Sequence, residues 1–383
     1  VPHGTGRRHA GRRDRSTQGT PKSSIRAGSD DAGMDSPNIR ILSVGTALPG
    51  APIGNARLAR LFKMDKVWEQ WVDVFIGTRT RHLARDLDTG ERSVSLTDLA
   101  TTAASRALAG ADVAPEDVDL IVMGTATPDM LMPATVNMVA ERLGVNDVRT
   151  FQLQSGCSGA VQALDVAHHF LRTGAYRTAL VIGGDSTAKH FDIGMDVASM
   201  PPAQLVNLLL FGDGAGAVVL DTAPEAGGQG PGRRGQAVLE RVFTRLTGLG
   251  REPGQTLEWY GLAERDSDVP PAGENYKAIE NAVPAMSVEI LRELLDDLGW
   301  KDTDFDYILP PQLSGRMTPK ILEGLEVAAE EVSCVTETGN TGNALPFLQL
   351  ERALAEMSPG DRALGIAVES SKWIKAGFAF EKI

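Results

Sequence analysis

Phe151-Gln152-Leu153-Gln154-Ser155-Gly156-Cys157-Ser158-Gly159-Ala160 decides how the chain is read: a short strand, a corner with two glycines, and a helix on which Ala160, Leu164, Ala167 and Leu171 recur at helical spacing. The corner residue is a cysteine. At a helix N-terminus it meets unpaired amide N–H groups and the positive end of the dipole, both of which favour a thiolate. Most free cysteines are inert buried residues. Here Gly156 and Gly159 leave room for another group to approach the sulfur, which makes Cys157 a candidate nucleophile.

Outward from this corner, short apolar runs alternate with helices. Ile39 to Val44, Asp119 to Gly124 and Ala179 to Gly183 read as strands, 61–74 and 134–143 as helices, and Thr97 or Asp98 as the cap of a helix through Leu108 to Gly110. Phe211-Gly212-Asp213-Gly214-Ala215-Gly216 looks like a dinucleotide loop, but such a loop opens a helix, whereas this one runs into the strand Val218-Val219-Leu220. A dinucleotide is therefore rejected. The features then recur in order. Asp117-Val118-Asp119-Leu120-Ile121-Val122 is echoed by Asp304-Phe305-Asp306-Tyr307-Ile308-Leu309, Gly156-Cys157-Ser158-Gly159 by Gly339-Asn340-Thr341-Gly342, and Ala179-Leu180-Val181-Ile182 by Ala363-Leu364-Gly365-Ile366, at nearly constant offsets. The expected fold is α/β: two duplicated βαβαβ halves in a layered α-β-α-β-α architecture, with Cys157 and Asn340 at equivalent corners and the active site between the halves. On spacing alone Asn340 reads equally well as a turn or helix-cap residue.

The expected organisation is a disordered tail over 1–33, an N-terminal half over 34–222, a Gly/Pro-rich linker over 223–236 and a C-terminal half over 237–383. The tail holds seven basic and three acidic side chains, with only Val1 and Ile25 as large apolar residues, so it can bury little; Met34 reads as a candidate start. With 42% hydrophobic residues the chain can fill a two-part core, and a net charge of −12 argues against a nucleic-acid partner. No run of 18 apolar residues is available to span a membrane, and Cys157 and Cys334 suggest neither a disulfide framework nor a metal site; cytoplasm is the expected location. A polar stretch running to about Pro271 is expected as a lid or dimer-contact loop, followed by an amphipathic helix ending at Gly299. His168 and His169 are expected at the surface and Cys334 in the core.

Together these residues resemble the thiolase-fold condensing enzymes, most closely the 3-oxoacyl-(acyl-carrier-protein) synthase III family, from about Ile39 to the C-terminus. The likeness rests on Trp71 with Gly77-Thr78-Arg79-Thr80-Arg81-His82, on Ser155-Gly156-Cys157-Ser158-Gly159, on Phe211 to Leu220, and on Gly339-Asn340-Thr341. It implies an acyltransferase whose Cys157 takes an acyl group from coenzyme A or an acyl carrier protein. The thioester is then substrate, and no metal or other cofactor is expected. The resemblance also implies a homodimer with the Phe151 to Gln154 strand beside the interface, Trp71 packed on the coenzyme A adenine, and Lys189 at a phosphate; Arg81 and His190 are further candidates for that donor site.

Two departures bear on the chemistry. Where the family has proline-histidine-glutamine, this chain reads Pro310-Pro311-Gln312, so Pro311 stands in place of the catalytic histidine. The family's glycine-rich oxyanion segment reads Val368-Glu369-Ser370-Ser371-Lys372-Trp373. In decarboxylative condensation the histidine and the asparagine both donate to the enolate oxygen, and losing one such donor costs roughly 10²–10³ in rate. The favoured expectation is a non-condensing transfer from Cys157 to an acceptor such as an amine or thiol, in specialised polyketide or fatty-acid-type metabolism. Two alternatives stay open. One is a decarboxylating synthase with a substitute for the histidine, for which Glu369, opposite Asp185 in the duplicated half, is the candidate base. The other is a catalytically reduced partner subunit beside an active homologue.

Overall fold

The computed structural model describes residues 38–200, 202–222, 235–259 and 272–383. The expected tail, linker residues 223–234 and residues 260–271 of the polar stretch lie outside the described residues.

Chain order in the first half is β1 (Ile39–Ala47), β2 (Ile53–Gly54), α1 (Asn55–Leu61), α2 (Lys66–Phe75), β3 (Thr80–Arg81), α3 (Leu96–Ala111), β4 (Leu120–Thr125), α4 (Thr135–Leu143), β5 (Arg149–Gln154), α5 (Gly159–Arg172), β6 (Thr178–Asp185), α6 (Pro202–Leu210) and β7 (Gly214–Thr222). The second half continues with β8 (Ala237–Leu246), β9 (Gln255–Leu257), β10 (Ala272–Glu274), α7 (Tyr276–Leu298), β11 (Tyr307–Leu309), α8 (Met317–Leu325), β12 (Glu330–Glu331), α9 (Val335–Thr338), α10 (Leu345–Glu356), β13 (Arg362–Glu369) and β14 (Ile374–Lys382).

The main sheet has the order β12-β11-β13-β14-β8-β1-β7-β6-β4-β5. Read outward from the β8–β1 seam, each half repeats the other: β7 corresponds to β14, β6 to β13, β4 to β11 and β5 to β12. Directions agree as well. β6–β4–β5 and β13–β11–β12 are parallel, while β6–β7 and β13–β14 are antiparallel. The duplication read from spacing is therefore present in the hydrogen-bond ladder.

Burial follows the pleat. On β4, Leu120 and Val122 face the core between the halves, while Ile121 and Met123 face α3 and α4, so an unbroken apolar run is what a strand covered on both faces requires. α5 and α10 fill the middle layer with Leu164, Ala167, Phe347 and Leu350, and α7 and α8 cover the outer face of the second half with Ile290, Leu294 and Ile321. Five layers result. Gly216 of the glycine run lies under α10, where a Cβ would come 2.5 Å from the Cβ of Phe347; it serves packing, in keeping with the rejected dinucleotide loop.

Some boundaries differ from expectation. The helix expected over 61–74 is two helices, because Asp65 accepts the Trp68 N–H at 2.9 Å and starts α2 afresh after Lys63 turns to a φ of 55°. α3 is capped by Ser95, which trades hydrogen bonds with Asp98 in a capping box. The sheet edges also differ. β5 leaves Thr150 to Leu153 half-buried along its outer side, whereas β12 is two exposed glutamates. Among the described residues no helix is long and apolar enough to cross a membrane.

Candidate active site

β5 ends at Gln154 and α5 begins at Gly159, so Cys157 stands in the tight corner just ahead of the helix, with Ser158 as the N-cap. The residue keeps some exposed surface. Its thiol is not the dipole-stabilised thiolate expected from the sequence. Burial pushes its pKa well above the ordinary thiol value, the carboxylates of Glu369 and Asp185 push it further, and its own backbone N–H opposes them weakly. Burial and the two neighbouring carboxyl groups thus both favour the neutral thiol of Cys157 over the thiolate.

Glu369, only 2% exposed, ends β13 and reaches across to this corner. Its carboxylate accepts the Ser158 N–H at 3.2 Å and the Ser371 N–H at 3.3 Å. Gly156 is the reason it fits, since any Cβ there would collide with the carboxylate. Burial raises the Glu369 pKa and Asp185 adds to the rise, while the bonds from Ser371 and Ser158 oppose it. A buried carboxyl with a raised pKa beside a thiol is suited to accepting and returning a proton.

Asp185, at the equivalent end of β6, is fully engaged. It accepts from Thr125 Oγ1 (3.1 Å), Ala126 N–H (2.8 Å), Thr127 N–H and Oγ1 (3.1 and 2.9 Å), and Asn343 N–H and Nδ2 (2.8 and 2.9 Å). Asn343 also donates from Nδ2 to the Ser155 carbonyl at 3.0 Å and accepts the Ala160 N–H at 2.9 Å. It thereby ties the Asn340 turn to the nucleophile corner. Sequence reading did not single out Asn343, although it lies three residues beyond Asn340 in the same glycine-flanked turn.

Asn340 is itself fixed by its backbone, donating to the Leu210 carbonyl at 2.9 Å and accepting the Gly212 N–H at 3.0 Å. Its side-chain oxygen accepts the Gly342 N–H at 3.0 Å. That bond sets the amide orientation and leaves the NH2 available as a donor. Pro311 is buried next to Gln312, whose side chain accepts the Cys334 and Val335 N–H groups at 2.8 Å each and so holds the approach to Asn340. Pro311 has neither an N–H nor a polar side chain to offer an enolate.

The segment after Glu369, without the family's glycines, is tied to the 251–254 loop by hydrogen bonds. The Ser370 carbonyl accepts the Gly254 N–H at 2.9 Å, and Trp373, at a φ of 64°, donates its indole N–H to the Glu252 carbonyl at 2.7 Å under the Arg251 guanidinium. Ser371 contributes its backbone N–H to Glu369.

The donor-site expectations need correction. Arg81 is 0% exposed; its guanidinium donates to Asn55 Oδ1 at 2.5 Å and the Leu209 carbonyl at 2.8 Å, and burial lowers its pKa to about 10. It is a strut inside the protein and cannot meet a coenzyme A phosphate. Lys189 turns inward to the Thr127 and Pro128 carbonyls, with its ammonium 4.8 Å from the centre of the Trp259 ring. Trp71 is half-buried and stacked on the exposed Phe75, with ring centres 5.7 Å apart. His190 is exposed, and none of the described hydrogen bonds ties it to the Cys157 corner. His168 is not a surface residue: it is 7% exposed, and burial lowers its pKa to about 4. Cys334 is buried, as expected.

With this geometry in place, comparison with known proteins gives a consistent picture. The family model 3-Oxoacyl-[acyl-carrier-protein (ACP)] synthase III matches residues 151–231, and that for the C-terminal part of the same synthase matches 295–370. The chain is 33% identical to beta-ketoacyl-[acyl-carrier-protein] synthase III of Rhizorhabdus wittichii over 84% of its own length and 92% of the relative's. A solved structure of 3-oxoacyl-(acyl carrier protein) synthase III from Pseudomonas aeruginosa PAO1 superimposes with a TM-score of 0.74 at 27% identity, covering 90% of this chain and 98% of that one. A second, AbyA1, described as a tetronic acid condensing enzyme, superimposes with a TM-score of 0.84 at 58% identity, covering 90% of this chain and 99% of that one.

Proposed function

Since the chain belongs to the 3-oxoacyl-(acyl-carrier-protein) synthase III family, we propose that it condenses two acyl thioesters without decarboxylation, Cys157 carrying one acyl group and Glu369 moving the proton, and that the product is a tetronic acid ring. The observation that carries this reading is the Glu369 carboxylate seated against the Cys157 corner in a chain whose family histidine is Pro311.

A malonyl donor needs its enolate stabilised as carbon dioxide leaves, the task for which the histidine and asparagine donors serve together. A 3-oxoacyl thioester does not. Its C2–H lies between two carbonyls, so a carboxylate base and one remaining donor, the Asn340 NH2, are adequate. Tetronic acid is a five-membered lactone with a ring oxygen on the carbon next to its 4-position. Forming it from thioesters requires a 2-hydroxyacyl group and a 3-oxoacyl group, joined by one C–C and one C–O bond.

The acyl step transfers the 2-hydroxyacyl group to the Cys157 sulfur and releases the donor thiol. In the C–C step Glu369 takes the C2 proton of the 3-oxoacyl thioester, the carbanion attacks the acyl carbon on Cys157, and the C–S bond breaks. The proton held by Glu369 then passes to the departing sulfur, whose raised pKa favours the thiol. The thioesters are the substrates, and no further cofactor takes part. This reading keeps the expectation that malonyl donors are not decarboxylated; the 58% identity to a tetronic acid condensing enzyme moves the acceptor from an amine or thiol to carbon. The inward commitment of Arg81 and Lys189 favours a carrier-protein donor over coenzyme A. Two copies pairing along β5 form the working unit.

The test supplies 2-hydroxyacyl and 3-oxoacyl carrier-protein thioesters and follows carrier masses, Cys157 acylation and carbon dioxide. The expected result is Cys157-dependent acylation and a tetronic acid without gas release. Rapid carbon dioxide release from a malonyl donor, or acylated Cys157 that transfers only to amines or thiols, would overturn it.

A further inference from the structure

A narrow cleft of about 40 Å³ runs from the exposed Phe75 past Leu210 to Leu313 and Met317. It abuts the proposed condensing site from behind, because the Leu210 carbonyl holds the Asn340 backbone and Leu313 lies two residues beyond Pro311. That volume accommodates a fragment of a few heavy atoms. Glu274 projects into these largely apolar walls from the end of β10.

Glu274 is held by a hydrogen bond from Asn207 of α6. The bond leaves two buried acceptors, Glu274 Oε2 and Asn207 Oδ1, with no partner among the described residues. Neighbouring acceptors without a donor are costly, about 1–3 kcal/mol each, and a ligand hydroxyl, with its single O–H, would satisfy one of them. Glu274 also belongs electrically to the Cys157 site, since its charge contributes to raising the thiol. Burial pushes its own pKa up to about 7, with Asn207 opposing, so it is poised to exchange a proton near neutrality.

We propose that Glu274, positioned by Asn207, is a second catalytic carboxylate, one that binds the hydroxyl of the 2-hydroxyacyl group and takes its proton when the ring ester closes. This rests on the ring-forming reading above. After the C–C step the hydroxyl oxygen attacks the carrier thioester carbonyl, a C–O bond forms, the C–S bond to the carrier breaks, and the proton on Glu274 passes to the leaving carrier thiolate. Atoms and charge balance without any co-reactant. Two bonds are made, and each has its own carboxylate: Glu369 for C–C and Glu274 for C–O.

The experiment compares wild type with Glu274→Gln, using 2-hydroxyacyl and matching deoxyacyl carrier thioesters together with a 3-oxoacyl carrier thioester. In wild type the hydroxyl is expected to lower the KM for Cys157 acylation at least about tenfold; in Glu274→Gln that preference disappears. In the same variant ring release is expected to slow about 10²-fold relative to the joining of the two acyl groups, so that an open carrier-bound adduct accumulates. Asn207→Leu, which removes the positioning donor and leaves the carboxylate, is expected to weaken the hydroxyl preference and to slow ring release by less than Glu274→Gln does, and Glu274→Asp to retain part of both. No hydroxyl preference in wild type, or a preference and ring release unchanged in Glu274→Gln, would overturn the assignment. Failure of wild type to join the acyl groups at all would count against the ring-forming reading, while the KM comparison would still decide whether Glu274 recognises a hydroxyl.

Discussion

Asp185 and Glu369 end equivalent strands, β6 and β13, and both carboxylates are buried beside Cys157, yet their surroundings differ in kind. Six hydrogen bonds of 2.8–3.1 Å converge on Asp185 from the loop after β4 and from Asn343. Glu369 receives the Ser158 and Ser371 N–H groups at 3.2 and 3.3 Å, which is long for charge-assisted contacts, together with a bond from the Ser371 side chain. A carboxylate with every lone pair occupied can only brace. One with spare lone pairs can take up a proton, so the duplication has left one half with a strut and the other with a group available for chemistry.

The largest expected effect comes from removing the strut. Asp185→Ala leaves several buried donors without an acceptor at about 1–3 kcal/mol each, so it should destabilise the protein by at least about 3 kcal/mol and weaken or prevent folding, as read by thermal unfolding. An unchanged melting temperature would erase the distinction between the two carboxylates.

Glu369→Gln should do the reverse, leaving stability nearly unchanged while lowering C–C bond formation by about 10²–10⁴-fold. It should also speed alkylation of Cys157 by iodoacetamide at fixed pH, because a charge that raises the thiol pKa is gone. A variant in which condensation and alkylation fall together would point to a structural role for Glu369 and bring it level with Asp185.

A smaller effect concerns α5, which carries the nucleophile corner on one end and His168 on its buried side. His168 binds a proton near pH 6.5 when unfolded and only near pH 4 when folded, so stability is lost as pH falls through that window, by about 3 kcal/mol in total. The raised pKa of Glu369 acts with the opposite sign, stability falling as pH rises, so the difference between wild type and His168→Leu isolates the histidine. Equal acid slopes in urea titrations of the two would show that His168 titrates normally. The smallest effect is expected from Pro311→His: condensation within about threefold of wild type, because in the proposed reaction Glu369 moves the proton, and at most a trace of carbon dioxide from a malonyl donor. A tenfold rise in ring formation would mean that the second half lacks a donor that Glu369 does not replace.

Much of the architecture was legible because it lies in short, local patterns. The Cys157 corner, the repeated strand runs and the position of Glu369 opposite Asp185 all follow from spacing. His168 was legible too and was misread: it stands four residues after Leu164 and three before Leu171, on the buried stripe of α5. Arg81 and Lys189 were not legible. Each is a basic residue in a polar turn, and only the folded backbone shows Asn55 Oδ1 waiting for one and the Thr127 and Pro128 carbonyls for the other. Glu274 and Asn207 meet because β10 is laid against α6 across the middle of the chain, a juxtaposition without any sequence period.

The two ends of the sheet have a consequence for how far assembly can proceed. β5 offers half-buried Phe151 and Leu153 along an open edge, while the opposite end is two residues long and carries the exposed carboxylates of Glu330 and Glu331. Strands added at that acidic end would meet like charge and almost no ladder. In the proposed pairing along β5, one adhesive border and one repellent border would end assembly at two copies and leave no edge from which fibres could grow.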